Sequence, residues 1–86
     1  MKHYCYMLLC ADGSYYTGYT TNLERRLAEH NGEGGSKGAK YTRSRRPCRL
    51  VWFEEFDDKC SAMSKEWHVK RLSHREKQAL CNYSAV

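Results

Sequence analysis

From Tyr4 to Cys10 nearly every side chain is apolar or aromatic, on both of the faces a strand presents. A segment without a polar side predicts a strand covered above and below, at the centre of its sheet. Ser14 to Thr20 follows as the second strand, and Ala11-Asp12-Gly13 between them reads as a three-residue hairpin loop, a type I turn with Gly13 in the left-handed region. That loop length sets the register. Cys10 faces Ser14, Tyr6 faces Gly18 and Leu8 faces Tyr16, so the Tyr6 and Tyr16 phenols project from one face of the sheet. A two-residue turn would separate them.

Thr21-Asn22-Leu23-Glu24 has the capping-box pattern and predicts a short helix from about Asn22 to His30, stopped by Asn31-Gly32. Residues 32 to 49 hold four glycines and no acid after Glu33, which predicts a loop, with one helical turn around Ala39 to Thr42. Cys48 to Phe56, with Val51, Trp52 and Phe53, predicts a third strand that ends in the acidic group Glu54, Glu55, Asp57 and Asp58. A helix from about Lys59 to Leu72 follows, and a second capping box, Ser73-His74-Arg75-Glu76, opens a last one to about Asn82. The order is β-β-α-(short α)-β-α-α, an α+β arrangement. No repeat, linker or composition shift divides it, so residues 1–86 read as one domain with one modest core.

Composition narrows the function classes. Fifteen Lys and Arg against ten Asp and Glu leave a net charge of +5, which on so small a body points to polyanionic partners, nucleic acid before membrane. Eleven aromatics, from two Trp, seven Tyr and two Phe, add stacking surface in the same direction. The loop concentrates the charge in Lys37, Lys40, Arg43, Arg45, Arg46 and Arg49. Five cysteines without a C-x-x-C write neither a disulfide framework nor a zinc ribbon, so reduced thiols and a cytoplasmic location are expected. No stretch approaches the roughly 18 apolar residues of a membrane span.

Few residues stand out as chemistry. Winding the helix around residue 66 at about 100° per residue puts Val69, Ala62, Glu66, Met63 and Trp67 on one arc, with Glu66 inside the apolar stripe. A carboxylate there needs a partner or a cation. The plain alternative is an i,i+4 pair with Lys70, worth about 0.3–0.5 kcal/mol. On the first helix His30 and Arg26, one turn apart, can both face the sheet; in isolation Arg26 reads as surface solvation and His30 as a core-edge histidine. Tyr4, Tyr15 and Tyr19 read as core. If the first helix packs over Tyr6, Tyr16 and Gly18, two phenols, a guanidinium and an imidazole converge in what looks like a phosphate site. The acidic group at 54–58 offers oxygens to a hard cation, but it is more simply a solvated strand end.

An ordered set of residues then resembles a known family. Tyr4-Cys5-Tyr6, Tyr16-Thr17-Gly18, Asn22-Leu23, Arg26-Leu27, His30-Asn31 and the late Glu66 resemble the GIY-YIG nuclease superfamily over almost the whole chain. Cys10-Ala11-Asp12-Gly13-Ser14, Glu29-His30-Asn31 and Gly38-Ala39-Lys40-Tyr41-Thr42 look closest to the small stand-alone bacterial YhbQ-like proteins. The resemblance implies a three-stranded antiparallel sheet flanked by helices, and one divalent ion, Mg²⁺ or Mn²⁺, held by Glu66. It also implies that Arg26 binds the scissile phosphate, that Tyr6 and Tyr16 lie in the site, one helping to activate the attacking water, and that His30 joins them. Tyr4, Cys5 and Thr17 depart from the family's pattern, which alters packing more than chemistry.

Residue chemistry and resemblance agree on phosphodiester hydrolysis, in which a guanidinium and a metal stabilise the gathering negative charge. One carboxylate suffices for Mg²⁺ if water and substrate phosphate fill its other positions. With a basic loop (Lys37, Lys40, Arg43, Arg45 and Arg46) that tracks phosphates, and no base-reading motif, the expectation is a metal-dependent DNA endonuclease. Such an enzyme selects branched or damaged DNA by shape, with a partner protein supplying targeting. Two rivals stand beside it: a nucleic-acid-binding module with little or no turnover, and a small interaction protein with a tyrosine-rich face.

Overall fold

Gly13, at φ 85°, turns the chain back on itself: the Cys10 N–H donates to the Ser14 carbonyl at 2.8 Å and the Gly13 N–H to the Cys10 carbonyl at 2.9 Å. The three-residue loop expected here is the loop observed. The computed structural model describes residues 1–35 and 38–83. Its elements are β1 (His3–Leu9), β2 (Tyr15–Thr20), α1 (Leu23–His30), a 3-10 turn (Glu33–Gly35), α2 (Lys40–Arg43), β3 (Arg49–Phe56), α3 (Lys59–Lys70) and α4 (His74–Tyr83). The α+β order agrees with the sequence pattern, and the 3-10 turn is the addition.

The sheet runs β2-β1-β3, antiparallel throughout, with β1 at its centre. Tyr6 pairs with Gly18 and Leu8 with Tyr16, the register that the loop length dictated. Against β3 the pairing slips: Met7 faces Trp52 but Leu8 faces Leu50, so Val51 bulges out of step. One face of the sheet carries Cys5, Met7 and Trp52, on which Val69 of α3 and Leu80 and Cys81 of α4 pack. The other carries Tyr6, Leu8 and Cys10, covered by Leu23 and Leu27 of α1 together with Cys48 and Leu50. Met7 and Leu8 are fully buried, each contributing roughly 1.5–3 kcal/mol, which is why β1 tolerates no polar side.

The helix ends differ in detail from the pattern. Asn22, not Thr21, caps α1: its Oδ1 accepts from the Arg25 N–H at 3.0 Å, so the third helical position is an arginine and no reciprocal acid exists. Thr20 wins the competition for this corner, since its hydroxyl accepts from the Asn22 N–H at 3.1 Å and fixes Asn22 in the extended conformation that a cap requires. At α4 the reciprocal box does form, with Ser73 N–H to Glu76 Oε1 at 2.9 Å and Glu76 N–H to Ser73 Oγ at 3.1 Å. On α3 only half of the expected arc is buried. Ala62 and Val69 meet the sheet, whereas Met63 and Trp67 lie 44% and 54% exposed. Tyr4, Tyr15 and Tyr19 are half-buried: Tyr15 packs against the Cys5–Met7–Trp52 core, whereas Tyr19 stacks on His3 with its hydroxyl 2.7 Å from Nδ1. Among the described residues no helix is long and apolar enough to cross a membrane.

Candidate active site

Two phenols on one face of a hairpin make a floor, and α1 supplies the wall. Tyr6 and Tyr16 stand with ring centroids 6.5 Å apart, diagonal neighbours across the β1–β2 pair. The opening between them is Gly18. A Cβ built there would lie 2.5 Å from the Tyr6 phenolic oxygen, so only glycine leaves room for that phenol. Leu23 and Leu27 seat α1 on this face, and the helical repeat carries His30 and Arg26 to the same side.

His30 is completely buried between the tyrosines and α2. Its Nε2 lies 2.7 Å from the Tyr6 hydroxyl, and its Nδ1 lies 2.7 Å from the Thr42 hydroxyl. Tyr16 flanks the imidazole at 5.0 Å between centroids, and Tyr41 flanks Tyr16 at 5.8 Å. Gly38, at φ 61°, permits this closure: a Cβ there would stand 2.7 Å from the Glu29 carbonyl and the His30 Cα, so glycine lets the chain leading into α2 press on the end of α1. Asn31 fixes the same corner from below, donating to the Cys48 carbonyl at 2.8 Å and accepting the Cys48 N–H at 2.7 Å.

Charge is arranged around this group. Arg26 pairs with Glu29, Nη1 to Oε1 at 3.0 Å, and both side chains reach solvent. Burial pushes the Tyr6 phenol above its ordinary value; Tyr16 and Glu66 add to this, and the hydrogen bond and charge of Arg26 oppose it. Burial, then Arg26 and Arg46, draw the His30 imidazole down to about 4 against the pull of Glu29, so the ring is neutral at pH 7.

Of the residues expected in the site, Tyr6, Tyr16, Arg26 and His30 come together. Glu66 stands in the α3 layer, with its side chain 15% exposed and its Oε2 3.1 Å from Lys70 Nζ, the i,i+4 pair weighed above. Its charge is felt by Cys5 on its own face of the sheet and by Tyr6 on the other, and no hydrogen bond joins it to the cluster among the described residues. No three His, Cys, Asp or Glu side chains gather as a metal cage among the described residues. The acidic strand end is tied up elsewhere: Glu54 with Lys65, Glu55 with Lys2, and Asp58 as the cap of α3.

The basic run divides into two kinds of residue. Arg45 holds the loop, its Nε 2.9 Å from Asp12, its Nη1 donating to the Tyr41 carbonyl at 2.8 Å, and its guanidinium 4.0 Å above the Tyr41 ring. Arg46 donates from Nε to the His30 carbonyl at 2.6 Å and lies against Gly32. Lys40 and Arg43 stand exposed on α2 with no ion-pair partner among the described residues. Lys37 lies outside the described residues. Thr42 and Tyr41 were not singled out from sequence; the signal was the Ala39-Lys40-Tyr41-Thr42 stretch that carried the resemblance. Thr17 is 3% exposed, and its Oγ1 has no hydrogen-bond partner among the described residues.

The GIY-YIG catalytic domain profile matches residues 2–79 of this sequence. The chain belongs to the GIY-YIG family. Membership points to nuclease chemistry and to DNA as substrate. Similar chains include the UPF0213 protein of Halobacterium salinarum, 51% identical over 91% of this chain and 97% of the relative. The UPF0213 protein of Staphylococcus haemolyticus is 51% identical over 88% and 89% respectively. The relatives are thus archaeal as well as bacterial. The solution NMR structure of a UPF0213 protein from Bacillus halodurans matches with a TM-score of 0.61 at 50% identity, covering 98% of this chain and 86% of that one. A solution NMR structure from E. faecalis matches with a TM-score of 0.62 at 40% identity, covering 96% and 86%.

Proposed function

We propose that this chain is a divalent-metal-dependent endonuclease that hydrolyses DNA phosphodiester bonds, selecting branched or damaged DNA by shape, with a partner protein supplying targeting. The observation that carries the reading is the Tyr6–His30 hydrogen bond set beside Arg26 and Tyr16: a proton donor, a neutral proton acceptor and a guanidinium on one face. A backbone phosphate that reaches Arg26 competes with Glu29 for a guanidinium already placed and partly exposed. Two N–H donors on two phosphate oxygens orient the phosphorus and stabilise the charge that grows on it. Tyr16, half-buried beside the imidazole, shapes the approach, while Tyr6 lies deeper and turns its oxygen to His30.

Glu66 suits a hard divalent ion, being one carboxylate whose present partner is a mostly exposed lysine that can withdraw. An ion held there would supply Lewis-acid charge stabilisation to a phosphodiester that reaches it. Selection by shape follows from what reads the DNA: exposed Lys40 and Arg43 meet phosphates, which carry no sequence information.

A binding module that turns over poorly is the second reading, and the Glu66–Lys70 pair favours it. Nicking of labelled duplex, flap and junction DNA with Mg²⁺ or Mn²⁺ separates the two. Wild type should cleave, and Arg26→Ala and Glu66→Gln should each lose about a hundredfold or more in rate. Cleavage that survives both changes refutes the site. Binding by all three proteins without metal-stimulated cleavage establishes the module instead.

A further inference from the structure

A buried neutral imidazole with a hydroxyl at each nitrogen must give its one proton to one of them and accept from the other. At His30 the two hydroxyls are Tyr6 at Nε2 and Thr42 at Nδ1, both at 2.7 Å. The choice is settled one bond further out. Thr42 Oγ1 also lies 3.1 Å from the Ala39 carbonyl, which can only accept, so the single proton of Thr42 points there. Its oxygen is then left to accept, and the donor facing it is Nδ1–H. The bare lone pair of His30 is therefore Nε2, and Tyr6 donates to it. One backbone carbonyl in the turn that opens α2 thus orients three groups in series.

Arg26 also hydrogen-bonds the Tyr6 oxygen, and because a guanidinium can only donate, the proton of the phenol is left for Nε2. Tyr6 faces His30 from β1, Tyr16 from β2, Arg26 and Glu29 from α1, and Arg46 from the segment after α2. Arg46 engages the backbone carbonyl of His30, not its ring, and the imidazole stays neutral in this company. At Nδ1 the hydrogen-bond partner is Thr42.

We propose that Thr42 is a positioning residue that holds His30 in its Nδ1–H tautomer, so that Nε2 receives the Tyr6 proton as the phenol takes one from the attacking water. This rests on the nuclease reading above. The balance is simple. One proton leaves water for the Tyr6 oxygen, the Tyr6 proton passes to Nε2, and the hydroxide so formed makes the new P–O bond as the bond to the leaving oxygen breaks; that oxygen departs with the bonding pair and is protonated by solvent water to the free hydroxyl. The ring ends as an imidazolium whose Nδ1–H still rests on Thr42. A neutral tyrosine, whose burial opposes free phenolate, thereby serves without ever needing to ionise in the resting protein. Thr42 sits between Tyr41 and Arg43 on α2, so the turn that presents cations to DNA is also the one that sets the proton on His30.

The test reads the tautomer directly. A long-range ¹H–¹⁵N correlation spectrum of the ¹⁵N-labelled chain at pH 7 should show His30 as the Nδ1–H form, and Thr42→Val should shift it towards Nε2–H or an averaged mixture. Thr42→Ser, which keeps the hydroxyl, should restore the wild-type pattern. Single-turnover cleavage should fall about ten- to a hundredfold in Thr42→Val, with DNA affinity unchanged within twofold and recovery in Thr42→Ser. A wild-type ring in the Nε2–H or doubly protonated form overturns the proposal, and needs no variant to fold. An unchanged tautomer in a folded Thr42→Val chain does the same. A wild type that shows the Nδ1–H form yet cleaves no DNA defeats the nuclease reading, and the proton-transfer role with it, but not the orientation of the ring.

Discussion

Gly18 lies directly across the β1–β2 ladder from Tyr6, and the space a side chain would occupy at Gly18 is filled by the Tyr6 phenol, 2.5 Å from the position of a Cβ. The contact cannot be relieved by swinging the phenol outward, because its oxygen is bonded to His30 in a buried setting. Gly18→Ala should therefore cost roughly 1–3 kcal/mol in urea unfolding and break the Tyr6–His30 hydrogen bond. Cleavage should fall further than stability alone explains. A Gly18→Ala chain with wild-type midpoint and wild-type rate would show that the phenol has room to spare.

His30 gives the protein a defined pH response. Its imidazole sits at about 4 in the fold against an ordinary value of 6.5, so the unfolded chain takes up a proton that the folded one refuses. Stability is therefore full above about pH 6.5, declines as pH falls through the interval down to about 4, and amounts to about 3 kcal/mol lost across it. Asp12, Asp57, Asp58 and Glu76 have carboxyls held below their ordinary values, so their contribution is lost only at lower pH. Urea unfolding at pH 7, 5.5 and 4.5 measures the slope. His30→Gln should flatten it, and an equal slope in the variant would assign the effect to other groups.

Lys40 and Arg43 are the cations that α2 leaves in solvent. Each phosphate contact they make releases counterions, so the double change Lys40→Ala with Arg43→Ala should lower the salt slope of DNA binding by about 2 and weaken binding across sequences alike. Thermal stability should hold. Arg45→Ala should behave differently, because it removes the pairing to Asp12 and the packing on Tyr41, and a lower melting temperature is expected there. Binding curves from 50 to 200 mM salt, run beside melting curves, distinguish the two kinds of arginine.

Thr17 buries a hydroxyl that finds no partner among the described residues. Replacing it by the near-isosteric valine removes an unsatisfied polar group and should raise stability by about 1 kcal/mol in urea unfolding. Destabilisation by a similar amount would mean that an ordered water completes the hydroxyl, and would turn Thr17 into a wetted position.

The hairpin was legible because its information is local: a three-residue loop ending in glycine fixes a register, and a register fixes which phenols share a face. His30 and Arg26 were legible as a helical pair one turn apart, given that something had to cover Tyr6 and Tyr16. Thr42 was not, since its partner stands twelve residues away, across a glycine-rich stretch whose path only tertiary contacts determine. Arg45 and Arg46 looked like free cations for the same reason; Asp12 and the His30 carbonyl become their partners only once the loop has closed. Met63 and Trp67 mark the limit of helical periodicity, which gives the angular order of side chains but not where the sheet's edge cuts that order.

The distribution of thiols has a practical sequel. Cys5, Cys10 and Cys48 are buried and Cys81 is half-buried, and burial pushes the Cys5 and Cys48 thiols up to about 12. Cys60 alone among the five is exposed, in the first turn of α3, on the layer opposite Tyr6 and His30. A maleimide dye added to the unaltered chain at neutral pH will therefore mark one place, away from the tyrosine face, and hand the experimenter a fluorescent reporter of DNA binding without a single cysteine having to be removed.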